Sequence, residues 1–231
     1  MAGKNQKSSR RAAIREQRTK QQKREKTILI SVVSVFALAI AAILIIPNLP
    51  VSPDRINQPE AIQRPLIDGN AIGDPNAPVK IEEFSDFKCI HCKTFWEESE
   101  GRLIADYVAT NKVYFRYVPM SFLAPDSVTA AEAAYCAMDQ GKFWEYHDYV
   151  FANFGTELTD PMLRAFARDL ELDMGEFDRC YNGNKYSQQV RQDAQYASSK
   201  GVTGTPTFDV NGQLIDRFAL FDLIDEKLAQ P

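Results

Sequence analysis

Residues Ile28 to Ile46 (ILISVVSVFALAIAAILII) form 19 consecutive positions without a charge, interrupted only by Ser31 and Ser34. This run divides everything else in the chain. A helix of that length, rising about 1.5 Å per residue, falls just short of the roughly 30 Å hydrocarbon core of a bilayer. Nothing else in the sequence could wrap so uniform a cylinder as a buried soluble helix. Residues 1–26 carry ten Lys/Arg against Glu16 and Glu25, whereas the rest of the chain has 17 basic and 29 acidic residues. Basic residues directly before an apolar span hold the N-terminus in the cytoplasm. We therefore expect a basic cytoplasmic tail over 1–27, a transmembrane signal anchor over 28–46, and an extracytoplasmic body tied to the cell membrane by one pass. A cleaved signal peptide fits less well, because the basic flank is long and no small-x-small cleavage site follows. The acidic body argues against nucleic-acid binding.

Residues 47–75 contain six Pro and no apolar period, which predicts a linker whose last part packs on the domain. The folded body is expected over 76–231. Val79–Phe84 has strand character, and positions Cys92, Phe95, Trp96, Ser99, Leu103 and Tyr107 mark the buried face of a helix over 90–110. Val113–Val118 reads as a second strand. A block of helices follows at about 126–199, too long to be one crossover. Strands return at Thr207–Val210 and Gln213–Ile215 around the hairpin dipeptide Asn211-Gly212, and 219–229 closes as an amphipathic helix. The fold class is α/β, a compact sheet-and-helix unit with a helical insertion.

Four cysteines, at 89, 92, 136 and 180, all lie in the outer body, where an oxidising compartment permits disulfides. Cys89-Ile90-His91-Cys92 stands where a strand turns into a helix. The first N–H groups of a helix have no partner within it and carry the positive end of its dipole. A thiolate at Cys89 is favoured there, and His91 adds a donor or charge beside it. A lone C-x-x-C can also be half of a zinc site. Its completing ligands would be Cys136, Cys180 or His147, but these sit singly in helical segments, so no metal is expected. His147 reads as a packed histidine among the aromatics of its helix. Cys136 and Cys180 occupy apolar helix faces 44 residues apart, and we expect them to form a structural disulfide, the alternative being two free buried thiols. Pro206, in Gly204-Thr205-Pro206-Thr207-Phe208, opens a strand where a missing N–H is tolerated.

Together, GDPNAPVKIEEFSDFKCIHC, the insertion with AAYCAMDQGKFWEYHDYVF, and GVTGTPTF resemble the DsbA family of thioredoxin-like proteins over about residues 72–230. The resemblance implies a thioredoxin-like fold and a thiol:disulfide oxidoreductase needing no cofactor. Cys89 matches the family's exposed nucleophile, Cys92 its buried resolving cysteine and His91 the thiolate-favouring histidine. Pro206 matches the cis-proline opposite the pair, Thr205 the residue whose backbone meets the substrate, and Glu83 a buried acid that handles protons. The alternative for Glu83 is a solvent-facing strand residue. Ile90 replaces the proline of the best-known members, and Thr205 replaces a valine common in strong oxidants. Threonine there also occurs in isomerase and reductase relatives. The expected function is to introduce disulfides into secreted or membrane proteins bearing cysteines. Reoxidation would fall to a quinone-linked membrane enzyme, DsbB-like or vitamin K epoxide reductase-like. The alternatives are a reductase or isomerase of the same fold, or a non-catalytic chaperone-like module. A monomer is expected.

Overall fold

The structure is a computed structural model that describes residues 23–24, 26, 28–29, 31–44 and 56–230. It divides into two units, residues 1–49 and 50–231. In the first, residues 31–44 are helical, with apolar side chains such as Val33, Phe36, Leu38 and Ile43 exposed. Among the described residues, no helix is long and apolar enough to cross a membrane. Ile30, Ile45 and Ile46 of the expected anchor, and residues 47–55 of the expected linker, lie outside the described residues.

The second unit is built on a five-stranded sheet in the order β1-β3-β2-β4-β5. The strands are β1 (Ala71–Ile72), β2 (Val79–Ser85), β3 (Val113–Pro119), β4 (Thr207–Val210) and β5 (Gln213–Ile215). β2 runs parallel to β3 and antiparallel to β4, and β1 and β5 close the two sides in antiparallel pairs. In β2, Val79, Ile81 and Glu83 point to one face, since successive side chains alternate. Phe84 points to the other and packs with Val118, Met120, Ala197 and Val202. The hairpin turns at Asn211 and Gly212, both at positive φ (51° and 89°), which is why an Asn-Gly pair suits it.

The helix after β2, α1, starts as Ile90–Phe95 and continues through a wide π-type turn (Trp96–Glu100), an α turn (Gly101–Leu103) and a second π-type turn (Ile104–Val108). The first wide turn corrects the 3.6-residue pattern. One extra residue per turn brings Glu100, not Ser99, to the buried face, with Leu103, Ile104, Tyr107 and Val108 following. Such insertions concentrate at functional sites. The helical block comprises α2 (Pro125–Met138), α3 (Phe143–Ala152), α4 (Asp160–Asp169), α5 (Met174–Asn182) and α6 (Ser187–Ser199). The closing helix α7 (Leu220–Ala229) meets α1 through a Tyr107–Phe221 stack and a hydrogen bond from the Tyr107 hydroxyl to Asp225 (3.0 Å).

The last part of the expected linker packs on the domain. From residue 56 onward it is a strap on the domain. Asn57 N donates to Asn153 Oδ1 (2.8 Å), Asn153 Nδ2 donates back to the Asn57 carbonyl (2.9 Å), and Arg64 is buried. Proline content signals only an absence of regular structure; it does not reveal whether the segment binds the surface it crosses.

Within the insertion, Cys136 on α2 is bonded to Cys180 on α5. Closing a loop of 44 residues removes unfolded-state entropy equivalent to about 4 kcal/mol in the chain-entropy model. Replacing both cysteines by Ala should therefore lower the unfolding free energy in urea by up to about 4 kcal/mol. A double variant as stable as the parent would show the insertion to be held by packing alone.

Candidate active site

The central strand β2 ends at Ser85, and the turn Asp86-Phe87-Lys88 delivers Cys89 to the N-cap of α1. Asp86 organises this turn. It is buried, and its carboxylate accepts N–H bonds from Lys88 (2.8 Å), Phe122 (2.9 Å) and Leu123 (3.0 Å) and the Ser127 hydroxyl (2.7 Å). One side chain thereby fixes the active-site turn, the loop after β3 and the first turn of α2. Nothing in the sequence singled it out, because its partners outside the turn are 36 to 41 residues away.

Cys89 has extended backbone angles (φ −85°, ψ 119°), and no side-chain acceptor caps the helix. The Cys89 thiol is pulled from about 9 down to about 5, first by a hydrogen bond from the Cys92 thiol, with burial opposing. The Thr205 side chain and the backbone N–H groups of Cys92 and His91 add to the lowering. These amides belong to the first turn, whose N–H groups have no partner within the helix. The His91 side chain itself is exposed, so its visible contribution comes through its amide. Cys92 is fully buried, and its thiol is pushed well above its ordinary value by burial, then by the hydrogen bond to Cys89 and the nearby Glu83 charge. Both sulfurs are free thiols.

Opposite the pair, the Thr205–Pro206 peptide is cis, and in the thiol form Cys89 Sγ donates to the Thr205 carbonyl at 3.2 Å. β4 begins immediately after, with Thr207 paired to Phe84 of β2. Beneath the pair lies Glu83, 1% exposed and flanked in the sheet by Tyr117 of β3 and Phe208 of β4. It does not face solvent. Burial pushes its carboxyl well above the usual range, and the Glu100 charge adds to this.

Glu100 was not expected here, nor was its partner. Arg64 of the strap donates to Glu100 Oε1 (2.7 Å) and to both oxygens of Asp148 on α3 (2.7 and 2.8 Å). Trp96 Nε1 also donates to Asp148 (2.9 Å), and His147 Nδ1 lies 3.0 Å from it. His147 is packed edge-on against Tyr117 and Phe151. The donor set Glu100, His147 and Asp148 has metal-ligand spacing, but the Arg64 guanidinium, bonded to Glu100 Oε1 and to both oxygens of Asp148, already supplies a positive charge there. Cys136 and Cys180 are consumed by their disulfide, which removes them from any zinc site.

A family model described as thioredoxin matches residues 67–226. Among curated proteins, the chain is 34% identical over 165 residues to Na(+)/H(+) antiporter NhaA 3 of Salinispora tropica, covering 71% of this chain and 23% of that protein. It thus spans about a quarter of the length of that relative. It is 30% identical over 169 residues to a probable disulfide bond formation protein D of Bacillus anthracis, covering 68% of this chain and 77% of the relative. The crystal structure of oxidised BdbD from Bacillus subtilis superposes with a TM-score of 0.64 at 23% identity, covering 75% of this chain and all of that one.

Proposed function

The chain belongs to the thioredoxin family, and on that premise we propose that it is a DsbA-type thiol:disulfide oxidoreductase that donates disulfides to extracytoplasmic proteins. The observation that carries this reading is the inequality of its two sulfurs. Cys89 is at the helix cap with a thiol lowered to about 5, and Cys92 lies behind it with a thiol raised well above its ordinary value. A thiolate is both the nucleophile and the better leaving group in disulfide exchange.

Starting from the Cys89–Cys92 disulfide, a substrate thiolate attacks Cys89 Sγ. A substrate–Cys89 bond forms, and Cys92 leaves with the electron pair of the old bond. Its high proton affinity requires it to take a proton, which Glu83 holds in its carboxyl form. A second substrate thiolate then attacks the first substrate sulfur, and Cys89 departs as the stabilised thiolate. The substrate gains the disulfide, and the enzyme holds two more electrons. In the return half, Cys89 attacks the disulfide of a membrane partner linked to quinone, of the DsbB-like or vitamin K epoxide reductase-like kind. Cys92, deprotonated by Glu83, closes the pair and expels the partner thiolate.

The Thr205 carbonyl, 3.2 Å from Cys89 Sγ, suits pairing with an extended substrate backbone. Ile90, Phe122 and Leu123 are about half exposed and suit apolar substrate side chains. The apolar run 28–46 and its basic flank support a single-pass anchor with the N-terminus in the cytoplasm, and the bacterial disulfide bond formation relative supports the direction of transfer.

The test is trapping. Cys92→Ser, which cannot resolve, should accumulate disulfide-linked substrates on non-reducing gels, and Cys89→Ser should accumulate none. Equal trapping by the two variants would remove the assignment of roles. An oxidase should also be found with Cys89–Cys92 oxidised when freshly isolated, whereas a reductase should be found as the dithiol.

A further inference from the structure

The side-chain atoms that are buried and unpartnered among the described residues include Glu83 Oε2, Ser85 Oγ, Tyr117 OH, Glu100 Oε2 and His147 Nε2. Buried polar atoms rarely lack partners, and each one that does calls for an explanation. These five are not scattered. Glu83 and Ser85 share β2, and Glu83 is in register with Tyr117 on β3. The Tyr117 and His147 rings meet at 4.8 Å, and His147 Nε2 lies 3.9 Å from Glu100 Oε2. Glu100 Oε1 is bonded to Arg64, which belongs to the strap. They form one string of polar groups running from beneath Cys92 to the Arg64–Asp148 pair.

We propose that Glu100 is a positioning residue for the proton transfer of Cys92, a carboxylate held by Arg64 at the far end of this string that sets when Glu83 carries its proton. This inference rests on the oxidoreductase reading and on the role of Glu83 within it. The geometry supplies the reason for the wide turn in α1, since without the extra residue at Trp96–Glu100 Ser99 would occupy the buried face. The Glu100 charge favours the neutral form of Glu83, as a like charge does across a dry interior. Glu83 is then poised as the proton donor when Cys92 leaves and, once emptied, as the acceptor on the way back. The groups facing Glu83 are Cys89, Cys92 and Glu100 from α1, Ser85 from its own strand and Tyr117 from β3. His147 and Asp148 from α3 and Arg64 from the strap stand behind Glu100. Glu100 is the only one of these that presents a second carboxylate to Glu83.

The experiment uses the reduced protein and an aromatic disulfide that releases one coloured thiol when Cys89 attacks and a second when Cys92 resolves. The rate of the second release is followed from pH 4 to 10. In the parent it should rise along an ionisation limb that Glu83→Gln abolishes. Glu100→Gln, which leaves Arg64 paired with Asp148, should move that limb down by about one pH unit, and Glu100→Asp, which restores the charge, should move it most of the way back. If Glu100→Gln does not fold, Glu100→Met removes the same charge without adding an amide and should give the same shift. A limb that stays in place in the uncharged variant overturns the proposal, as does a uniform slowing at every pH, the mark of a merely structural role. The underlying reading fails separately, if Cys92→Ser still gives a fast second release.

Discussion

Reduction of Cys89–Cys92 should make this protein more stable, and the gain should depend on pH in a direction fixed by one sulfur. The Cys89 thiol sits at about 5 when folded, against about 8.5 in an unfolded chain. A folded value below the unfolded one contributes stability that is complete above the unfolded value and is lost as pH falls through the folded one. The window is therefore pH 9 to 5. At pH 7 the contribution is about 2–3 kcal/mol, rising to about 5 kcal/mol at pH 9 and vanishing below pH 5. Burial, the first cause of the raised Glu83 carboxyl, does not depend on the redox state of the pair and so drops out of the difference. Paired urea titrations of the oxidised and reduced protein at pH 5, 7 and 9 would measure this. A difference that does not grow with pH would mean that the helix-cap amides and Cys92 do not hold a thiolate.

The same quantity sets the direction of electron flow. Thioredoxin, with a nucleophile near 7, has a potential of roughly −270 mV. Lowering the thiol from about 7 to about 5 adds roughly 2 kcal/mol to the reduced state at pH 7, which moves a two-electron couple up by about 50 mV, to roughly −220 mV. Structural disulfides of secreted proteins lie below roughly −300 mV. Donation from this pair to such substrates is then downhill by about 80 mV, or nearly 4 kcal/mol. A measured potential below roughly −300 mV would reverse the proposed direction.

The parts of this site that are legible in the sequence are those whose partners are close in the chain. Cys89 and Cys92 are three residues apart at a strand–helix junction, and Asn211-Gly212 announces its own hairpin. Thr205 and Pro206 announced themselves only through family likeness, because their place opposite Cys89 depends on β4 pairing with β2. Glu83 was ambiguous for a similar reason. Its alternation with Val79 and Ile81 identifies its face, but only α1 and β3 decide that the face is dry. Glu100 was hidden by a departure from helical period that no composition signals. Arg64 was hidden by its setting, a proline-rich segment 84 residues from its main partner. Sequence pattern reports periodicity and local chemistry, and the missed residues share neither.

Arg64 is also where the largest loss of stability should occur. Its side chain is 2% exposed, it is bonded to Glu100 and doubly to Asp148, and its guanidinium lies 4.9 Å from the Trp144 ring centroid. It ties three segments together: the strap, α1 and α3. Arg64→Met keeps most of the volume and removes the charge, leaving two buried carboxylates facing each other with only Trp96 Nε1 and His147 Nδ1 near Asp148. Breaking one side of a buried ion pair costs about 3–5 kcal/mol, because the surviving charge has lost its water and gained nothing. The Asp148 carboxyl is held below its usual value, with Arg64 and His147 opposing the burial that would raise it. Its stabilisation is therefore present above the unfolded carboxylate value near 4 and lost as pH falls below it. The penalty of Arg64→Met should accordingly be greatest near neutral pH and shrink toward pH 4, where the stranded carboxylates can take up protons. Removing the acids together with the base, as Arg64→Met, Glu100→Leu and Asp148→Leu in one chain, should recover much of the loss, since buried ion pairs are often replaceable by apolar side chains. Urea unfolding of the single and triple variants at pH 4 and 7 decides the matter. A single variant within about 1 kcal/mol of the parent at pH 7 would place Arg64 among ordinary surface pairs and leave the strap held by its other contacts.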